Sequence, residues 1–362
     1  MTTVLDRYIF RKFISTFLFI MMLFIMISVV IDLTERLEVF MENHIGIAAV
    51  LTDYYAGFVP WIAALLGPFF VFLAVIWVAS RMTHQSEMVS IIGNGVTFGR
   101  MLVPFMTTAF ILFAMMWYAN NYLVPDANHK RFNFDNRYIT HWRVQFNFIE
   151  MTVDKSPDHE VIASMQSYNT TQQQGLHFSI KTIENNKVTR FIQATKINWS
   201  DEERLWTLSN YETWEIDGEV ERLNKGSQLD TILGFTPADF VFKIEIKESM
   251  RTPALNKFIE RERLRGSERI PFYLVEKYQR TSNAFSIMIL TLMGVSVSMR
   301  RVRGGRWWPL AFGFAMSALF FLTMRFSTTF ATNAGLPPLI ACWLPNVLFA
   351  IAAVFMLRAA PK

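Results

Sequence analysis

The residues of this 362-residue chain that are best suited to bind a ligand are cations beside or inside long apolar runs. Arg325 lies within such a run, where a charge is costly and usually faces a functional cavity. Near a helix end, the same arginine can instead extend its head to the membrane surface. Because a guanidinium can donate two parallel hydrogen bonds to an anion, Arg325 is the first candidate for contact with a ligand.

Three further cations are candidates for contact with a ligand. Arg36 follows the first apolar run, and Lys130 and Arg131 follow the third. For Lys130 and Arg131 the alternative is a solvated linker. For Arg36 it is an ion pair with Asp32 or Glu35, which would contribute little to stability at a surface.

A short segment within residues 84–95 has the pattern of a docking helix. A serine that can cap a helix and an acidic residue suited to its first turn precede three apolar residues on one face. These residues are Ser86, Glu87, Met88, Ile91 and Ile92. Such a helix could dock in a groove of an ATPase or lie on lipid, and its periodicity allows both.

The sequence predicts no catalytic residues and no metal site. The segment Gly95–Arg100 lacks the spacing and the lysine of a nucleotide phosphate loop, so the chain is not expected to hydrolyse ATP. The apolar runs contain no central Asp, Glu, Lys or His for ion coupling. The six histidines and the single cysteine, Cys342, show no metal-ligand spacing. Any transport would therefore draw its energy from a partner.

Six apolar runs are long enough to cross a membrane, since a bilayer core of roughly 30 Å needs about 20 residues of helix. Three precede and three follow a polar segment of about 150 residues. They are Phe13–Ile31, Tyr54–Ser80, Met101–Pro125, Thr281–Met299, Trp307 to about Ala331, and Leu336–Leu357. With 52% apolar residues, the chain is predicted to be an integral membrane protein, and its net charge of +5 indicates topology, not nucleic-acid binding.

The basic residues predict the orientation. Arginines and lysines precede the first run, two arginines bracket the loop after the second, and four arginines crowd the loop after the fourth, whereas residues 32–53 are acidic. By the positive-inside rule, both termini and these basic loops are cytoplasmic. The large polar segment is then expected on the outer side of the membrane, because three spans precede it.

The polar segment has the pattern of an all-β domain. Apolar and polar residues alternate in Val144–Phe148 and Leu176–Ile180, and turn signals follow Glu184 and Asp217. A sandwich or a jelly-roll-like fold is predicted. The expected domains are 1–125 with three membrane helices, 126–250 with the β domain, 251–280 with a connecting helix, and 281–362 with three more membrane helices.

Several short motifs in this order resemble the LptF/LptG family of lipopolysaccharide export permeases, membrane subunits of ABC transporters. The resemblance covers nearly the whole chain, and its start looks more like LptG than LptF. The motifs are Leu5-Asp6-Arg7-Tyr8-Ile9, Arg81 with Ser86-Glu87-Met88 and Gly93, Thr236-Pro237-Ala238-Asp239-Phe240, the Leu255–Gly266 helix, and Leu336-Pro337-Pro338 with Ala341-Cys342-Trp343-Leu344-Pro345-Asn346.

The resemblance implies a permease subunit that extracts lipopolysaccharide from the outer leaflet of the inner membrane and passes it to a periplasmic bridge. Its partners would be an LptF-type sister permease, an LptB-type ATPase dimer that holds ATP and magnesium, and an LptC-type membrane-anchored protein. No cofactor is expected on this chain itself. In the family the loop helix docks on the ATPase, and its acidic residue corresponds to Glu87.

One departure from the family concerns the outer end of the first run. LptG-type proteins tend to carry lysines there, whereas here only Arg36 could meet a lipid A phosphate. We therefore expect a lipid A with fewer phosphates, or phosphate contacts elsewhere. The alternative functions are a receptor or scaffold with a ligand-binding β-domain, which the small cytoplasmic share disfavours, and an ion-driven transporter, which nothing in the apolar runs supports.

Overall fold

The computed structural model divides into two compact units. The helical unit comprises Met1–Phe132, Lys247–Leu255 and Pro271–Lys362, and the β unit comprises Asn133–Ile246 and Asn256–Ile270. The structure describes residues 4–139, 145–156, 158–169, 172–185, 187–201, 203–217, 220–237, 246–264, 267, 269–298 and 307–358.

The described residues include six helical stretches that are long and apolar enough to cross a membrane. Helices suit this setting because each satisfies its backbone hydrogen bonds internally. The described α-helices of more than three residues are α1 (Val4–Glu42), α2 (Ala56–His84), α3 (Glu87–Gly93), α4 (Phe98–Tyr118), α5 (Val124–Phe134), α6 (Ile246–Ser249), α7 (Thr252–Leu264), α8 (Ile270–Ser298), α9 (Trp307–Asn333) and α10 (Pro338–Arg358).

The predicted combination of six membrane helices and an all-β domain is confirmed. The helices extend beyond the apolar runs, because helical hydrogen bonding continues into polar sequence on both sides of a membrane core. Helix α1, for example, has 39 residues and begins at Val4, well before the apolar run. Short π-helical segments continue some of the long helices, at Val50–Tyr55 before α2 and at Ala119–Leu123 between α4 and α5.

Helices α2 and α8 form the centre of the helical unit, and their apolar segments are the most buried of the six. They approach closely where α8 carries Gly294, since a Cβ there would lie 2.9 Å from Val75 and 3.2 Å from Phe72. One apolar cluster joins α1, α2, α3, α4 and α8. A second joins α2 and α8 to α9 and α10. Helix α1, in contrast, is mostly exposed along its apolar segment.

The β unit contains one antiparallel sheet of six described strands, paired in the order of the chain. The two predicted turns are confirmed, because Glu184 pairs with Lys187 and Asp217 pairs with Val220. The strands are β1 (Gln145–Ser156), β2 (His159–Asn169), β3 (Gln174–Glu184), β4 (Lys187–Ser200), β5 (Leu205–Asp217) and β6 (Val220–Thr231).

The strand order is simpler than that of a jelly roll, which combines two Greek keys in two sheets. Each described strand pairs only with its neighbours in sequence, so the sheet is an open meander. One face buries Phe178, Leu208 and Trp206, and the Trp206 indole donates a hydrogen bond of 2.8 Å to the Phe235 carbonyl. The segment after β6 therefore covers part of this face.

Candidate functional site

The first polar cluster of the helical unit surrounds Glu87, at the start of α3. The Tyr8 hydroxyl donates to both carboxylate oxygens of Glu87, at 3.0 and 3.1 Å. The Lys12 ammonium lies 3.1 Å from the same carboxylate. Tyr8 and Lys12 are one turn apart on α1. The predicted ATPase-contact residue is therefore held by α1 of its own chain.

A second ion pair lies at the same end of the helical unit. The Arg100 guanidinium, in the first turn of α4, donates two hydrogen bonds of 2.7 Å to the Asp6 carboxylate on α1. Such paired hydrogen bonds fix the orientation of both groups. Together with the Glu87 cluster, they attach the start of α1 to α3 and α4.

The apolar face of the predicted docking helix packs against this chain. Met88 is 3% exposed and lies in the cluster with Ile9, Phe13 and Met82. Ile91 packs against the same cluster, and the Ile92 side chain lies outside the described residues. Periodicity identified an apolar face on α3, and the chain's own helices cover the part of it that the structure describes.

Ser86 differs from the helix cap that the sequence predicted. Its φ of 59° lies in the left-handed region, whereas an N-cap residue normally has an extended backbone. Its carbonyl accepts a hydrogen bond of 3.0 Å from the Ser90 amide. The exposed Ser86 thus forms the sharp turn between α2 and α3.

Arg325 lines a polar cavity of about 180 Å³ in the helical unit. Its side chain is exposed, and its guanidinium lies 5.8 Å from the centre of the Phe321 ring. The cavity is lined by residues of several helices, including Trp61 of α2, Asn128 of α5 and Gln279 of α8. A charge in an apolar run therefore borders a cavity, and the contact of Arg325 with a ligand stays a prediction.

Arg280 lies in the wall of the same cavity and is almost fully buried. Its guanidinium donates to Glu276 at 3.0 Å and to the Met250 and Lys247 carbonyls at 2.8 and 2.9 Å. A fourth bond, 3.0 Å long, reaches the Thr252 hydroxyl. Arg280 therefore ties α8 to the segment that follows α6, and its charge is balanced by Glu276.

The surrounding residues extend this network. The Asn120 amide donates to the Arg280 carbonyl at 3.1 Å, and the Thr252 hydroxyl donates to Asn121 at 2.6 Å. Arg251 forms two hydrogen bonds to Asp126, at 2.8 and 2.6 Å. This contact raises the pKa of the Arg251 guanidinium further above its ordinary value. The end of α4, the start of α5 and the segment near α7 are thus fixed to one another.

The other three cations that the sequence predicted to contact a ligand have different surroundings. Arg131 lies over the Trp61 ring at 4.4 Å, and Trp61 borders the polar cavity. Lys130 is exposed on α5. Arg36 contacts Asp32 at 3.4 Å and lies over the Tyr54 ring at 4.9 Å, as the ion-pair alternative expected. Of these four cations, only Arg325 lines the cavity, and Arg131 contacts one of the lining residues, Trp61.

Sequence reasoning did not select Arg280, Asn128, Gln279 or Asn283. Two sequence features pointed to this region: the i, i+4 spacing of Glu276 and Arg280, and Asn120 and Asn121 in the third apolar run. These residues come together only through helix packing, which their spacing along the chain does not reveal. Within the described ranges, no group of three or more histidine, cysteine or acidic residues could hold a metal ion.

A comparison with protein-family models gives one match, to the family described as lipopolysaccharide export system permease LptF/LptG, over residues 7–359. No curated protein matches the chain in sequence. The matched range includes the Glu87 cluster, the residues that line the cavity, the inserted sheet and the six candidate membrane helices except the first residues of α1. Because the match spans nearly the whole sequence, the chain belongs to the LptF/LptG family of lipopolysaccharide export permeases.

Proposed function

We propose that this chain is a permease subunit that extracts lipopolysaccharide from the outer leaflet of the inner membrane and passes it to a periplasmic bridge. The family match over residues 7–359 carries this proposal. Six membrane helices with an inserted all-β unit are the architecture that such a subunit needs. Its termini would be cytoplasmic, and its β unit, whose six described strands lie within the predicted domain 126–250, would be periplasmic.

The energy would come from ATP and magnesium on an LptB-type ATPase dimer. The other expected partners are an LptF-type sister permease and an LptC-type protein, and the similarity of the N-terminus to LptG stays a prediction. Arg325 is the main proposed substrate contact because it is exposed at a cavity. Arg131, Lys130 and Arg36 are secondary candidates, and Arg36 is the weakest because it already contacts Asp32.

Helix α3 is the proposed ATPase contact. Since Met88 is buried within this chain, the surface offered to the ATPase would be the opposite one, which includes the exposed Ser86 and Ser90. Met88 and Ile91 would then act by holding α3 in place. Glu87 would contact both α1 of its own chain and the ATPase. Its side chain remains 30% exposed while it contacts Tyr8 and Lys12.

Reconstitution of the complex tests the transport function. The chain would be coexpressed with candidate ATPase and sister permease subunits, purified, and placed in liposomes that contain lipopolysaccharide. We expect copurification of the ATPase and release of lipopolysaccharide that requires ATP and this chain. Release that follows an ion gradient without the ATPase, or no association with an ATPase, would contradict the proposal.

A charge exchange tests the coupling role of Glu87. Glu87→Arg places a cation beside Lys12 and removes the proposed ATPase contact, so we expect loss of ATPase copurification. Lys12→Glu combined with Glu87→Lys restores the internal ion pair but not the contact. If the double variant regains full ATPase binding, Glu87 serves only the internal pair and the coupling role is wrong.

A further inference from the structure

We propose that the start of α1 binds an anionic phospholipid of the cytoplasmic leaflet. This site is separate from the path of the transported lipid, and its place in the membrane rests on the proposed orientation, with the N-terminus in the cytoplasm. The structure has a groove of about 490 Å³ on the outer side of α1. The groove is lined by Arg7, Phe10, Arg11, Ile14, Ser15 and Leu18.

The groove lies on the face of α1 that points away from its helix neighbours. Arg7, Arg11 and Leu18 follow one another at intervals of four and seven residues, which places them on one side of a helix. Ile9 and Phe13, on the other side, are fully buried and pack in the apolar cluster with α2 and α4. Leu18 is 49% exposed. The groove is therefore open to the surroundings of the helical unit.

The two arginines of the groove have not been neutralised by the acidic residues around them. Arg7 and Arg11 are exposed, and neither forms an ion pair or a hydrogen bond with another residue that the structure describes. The carboxylates of Asp6 and Glu87, at the same end of the helical unit, are paired with other cations. Two positive charges on this face thus remain for an anion from outside the chain.

The chemistry of the lining favours a phospholipid over other anions. A guanidinium donates paired hydrogen bonds to a phosphate, and Arg7 and Arg11 are one helical turn apart, so both can reach one head group. Apolar side chains continue the groove beyond Arg11, at Ile14 and Leu18. An acyl chain can cover them, whereas a soluble anion cannot. Because two cations face the head group, a lipid with net negative charge is favoured over a zwitterionic one.

The position of the groove along α1 suits a lipid of the leaflet at the N-terminal side. Arg11 and Asp32 are 21 residues apart on this helix, which corresponds to about 32 Å. A bilayer core is roughly 30 Å thick, and charges are costly inside it, so these two residues mark its two boundaries. Leu18 lies seven residues from Arg11, about 10 Å further into the membrane. The groove therefore runs from the head groups to the acyl chains.

Photo-crosslinking tests which molecule occupies the groove. A diazirine amino acid of leucine size replaces either Leu18 or, as the control, Ile351 of α10. Leu18 and Ile351 are 49% and 51% exposed, and each lies seven residues from an exposed arginine, Arg11 or Arg358. Arg358 has no second arginine one turn before it. The full chain with its copurified subunits is irradiated in nanodiscs that contain phosphatidylethanolamine in large excess over phosphatidylglycerol.

Mass spectrometry then gives the lipid attached at each position. The share of phosphatidylglycerol among the adducts should be about fivefold higher at Leu18 than at Ile351. The reason is that the groove has one more arginine, and each arginine near an anionic head group contributes about this factor. Equal shares at the two positions, adducts with a copurified subunit in place of lipid, or no lipid adduct at Leu18 would overturn the proposal.

A single substitution tests the role of the arginines. Arg11→Gln should lower the share of phosphatidylglycerol at Leu18 about fivefold. Arg7 and Lys12 remain in this variant and preserve the positive charge that orients α1. Arg358→Gln removes the same charge from the end of α10 and should leave the adducts at Leu18 unchanged. An equal decrease in both variants would show general attraction of anionic lipid to the whole surface, and the groove would not be a site.

The site and the proposed function can fail separately. If the reconstituted complex releases lipopolysaccharide with ATP but phosphatidylglycerol is not enriched at Leu18, the groove assignment is wrong and the proposed function stands. If phosphatidylglycerol is enriched at Leu18 while no ATP-dependent release occurs, the groove binds an anionic phospholipid and the transport function is wrong.

Discussion

The two ends of the helical unit use charge differently. At the α3 end, the charged groups between neighbouring helices are paired: Lys12 with Glu87 and Arg100 with Asp6. At the opposite end, Arg280 and Glu276 form an ion pair beside a cavity where the Asn128 oxygen has no partner among the residues that the structure describes. The comparison indicates that the first end is built to hold helices together. The second combines a fixed framework with groups that remain available to a ligand.

Removal of Arg280 should give the largest loss of stability. Arg280→Gln leaves the Glu276 carboxylate and two backbone carbonyls without their partner in a buried position. We expect a decrease of about 3–5 kcal/mol, as for other buried ion pairs that lose one member. The measurement is thermal unfolding of the purified full chain, followed by size-exclusion chromatography.

The matched variant for Arg280 is Arg325→Gln, in the same cavity. Because Arg325 is exposed, its loss should leave the thermal midpoint nearly unchanged. If both variants lower the thermal midpoint equally, Arg280 and Arg325 do not have separate roles in stability and ligand contact, and the proposed difference between them is wrong.

A smaller effect is expected at Tyr54, which is fully buried and whose hydroxyl donates to Asp32 at 2.9 Å. Tyr54→Phe removes one hydrogen bond to a charged group and should cost about 1.5–3 kcal/mol of unfolding free energy. Tyr118→Phe is the control, since Tyr118 is an exposed tyrosine of α4. If Tyr118→Phe is as harmful as Tyr54→Phe, the Asp32 contact does not contribute as proposed.

The smallest effect is expected in the β unit, at the exposed Asp201. Gln173 and Trp199 donate hydrogen bonds to its carboxylate, at 2.6 and 2.8 Å, and the bond from Gln173 is the larger cause of its lowered pKa. A lowered folded pKa contributes stability above the ordinary pKa of about 4, and this is lost as the pH falls through the folded value. The thermal midpoints of wild type and Asp201→Asn should therefore differ slightly at pH 7 and converge in acid. A difference that grows in acid would reverse the sign and exclude this cause.

The helices and hairpins could be predicted because their signals are local. Run length specified the six helices, and turn residues after Glu184 and Asp217 specified two hairpins. The connections of the sheet could not be predicted, since alternation shows that a strand has two faces but not which strand pairs with it. The described strands form a meander, whereas the sequence pattern suggests a sandwich or a jelly roll.

The site was predicted only in part, for a related physical reason. Arg325 stood out because a charge in an apolar run is rare, and it does border a cavity. The apolar face of α3 was equally clear, but periodicity does not show whether a partner or the same chain covers it. Met88 is covered by the same chain. Arg280 lies beside an apolar run, where an arginine normally marks a membrane interface, and its i, i+4 spacing with Glu276 predicts a local ion pair but not the buried network.

The hydrogen bonds around Arg280 also connect the two ends of the segment 133–246, which is inserted between the membrane helices. Asp126 with Arg251, Asn121 with Thr252 and Asn128 with Glu248 join the stretch before residues 133–246 to the stretch after them. The two ends of this inserted segment are thus held together by contacts within the helical unit. Once such ends are fixed, doubling the length between them costs only about 0.6 kcal/mol of chain entropy. Relatives could therefore gain or lose whole hairpins in the sheet while the membrane helices stay the same.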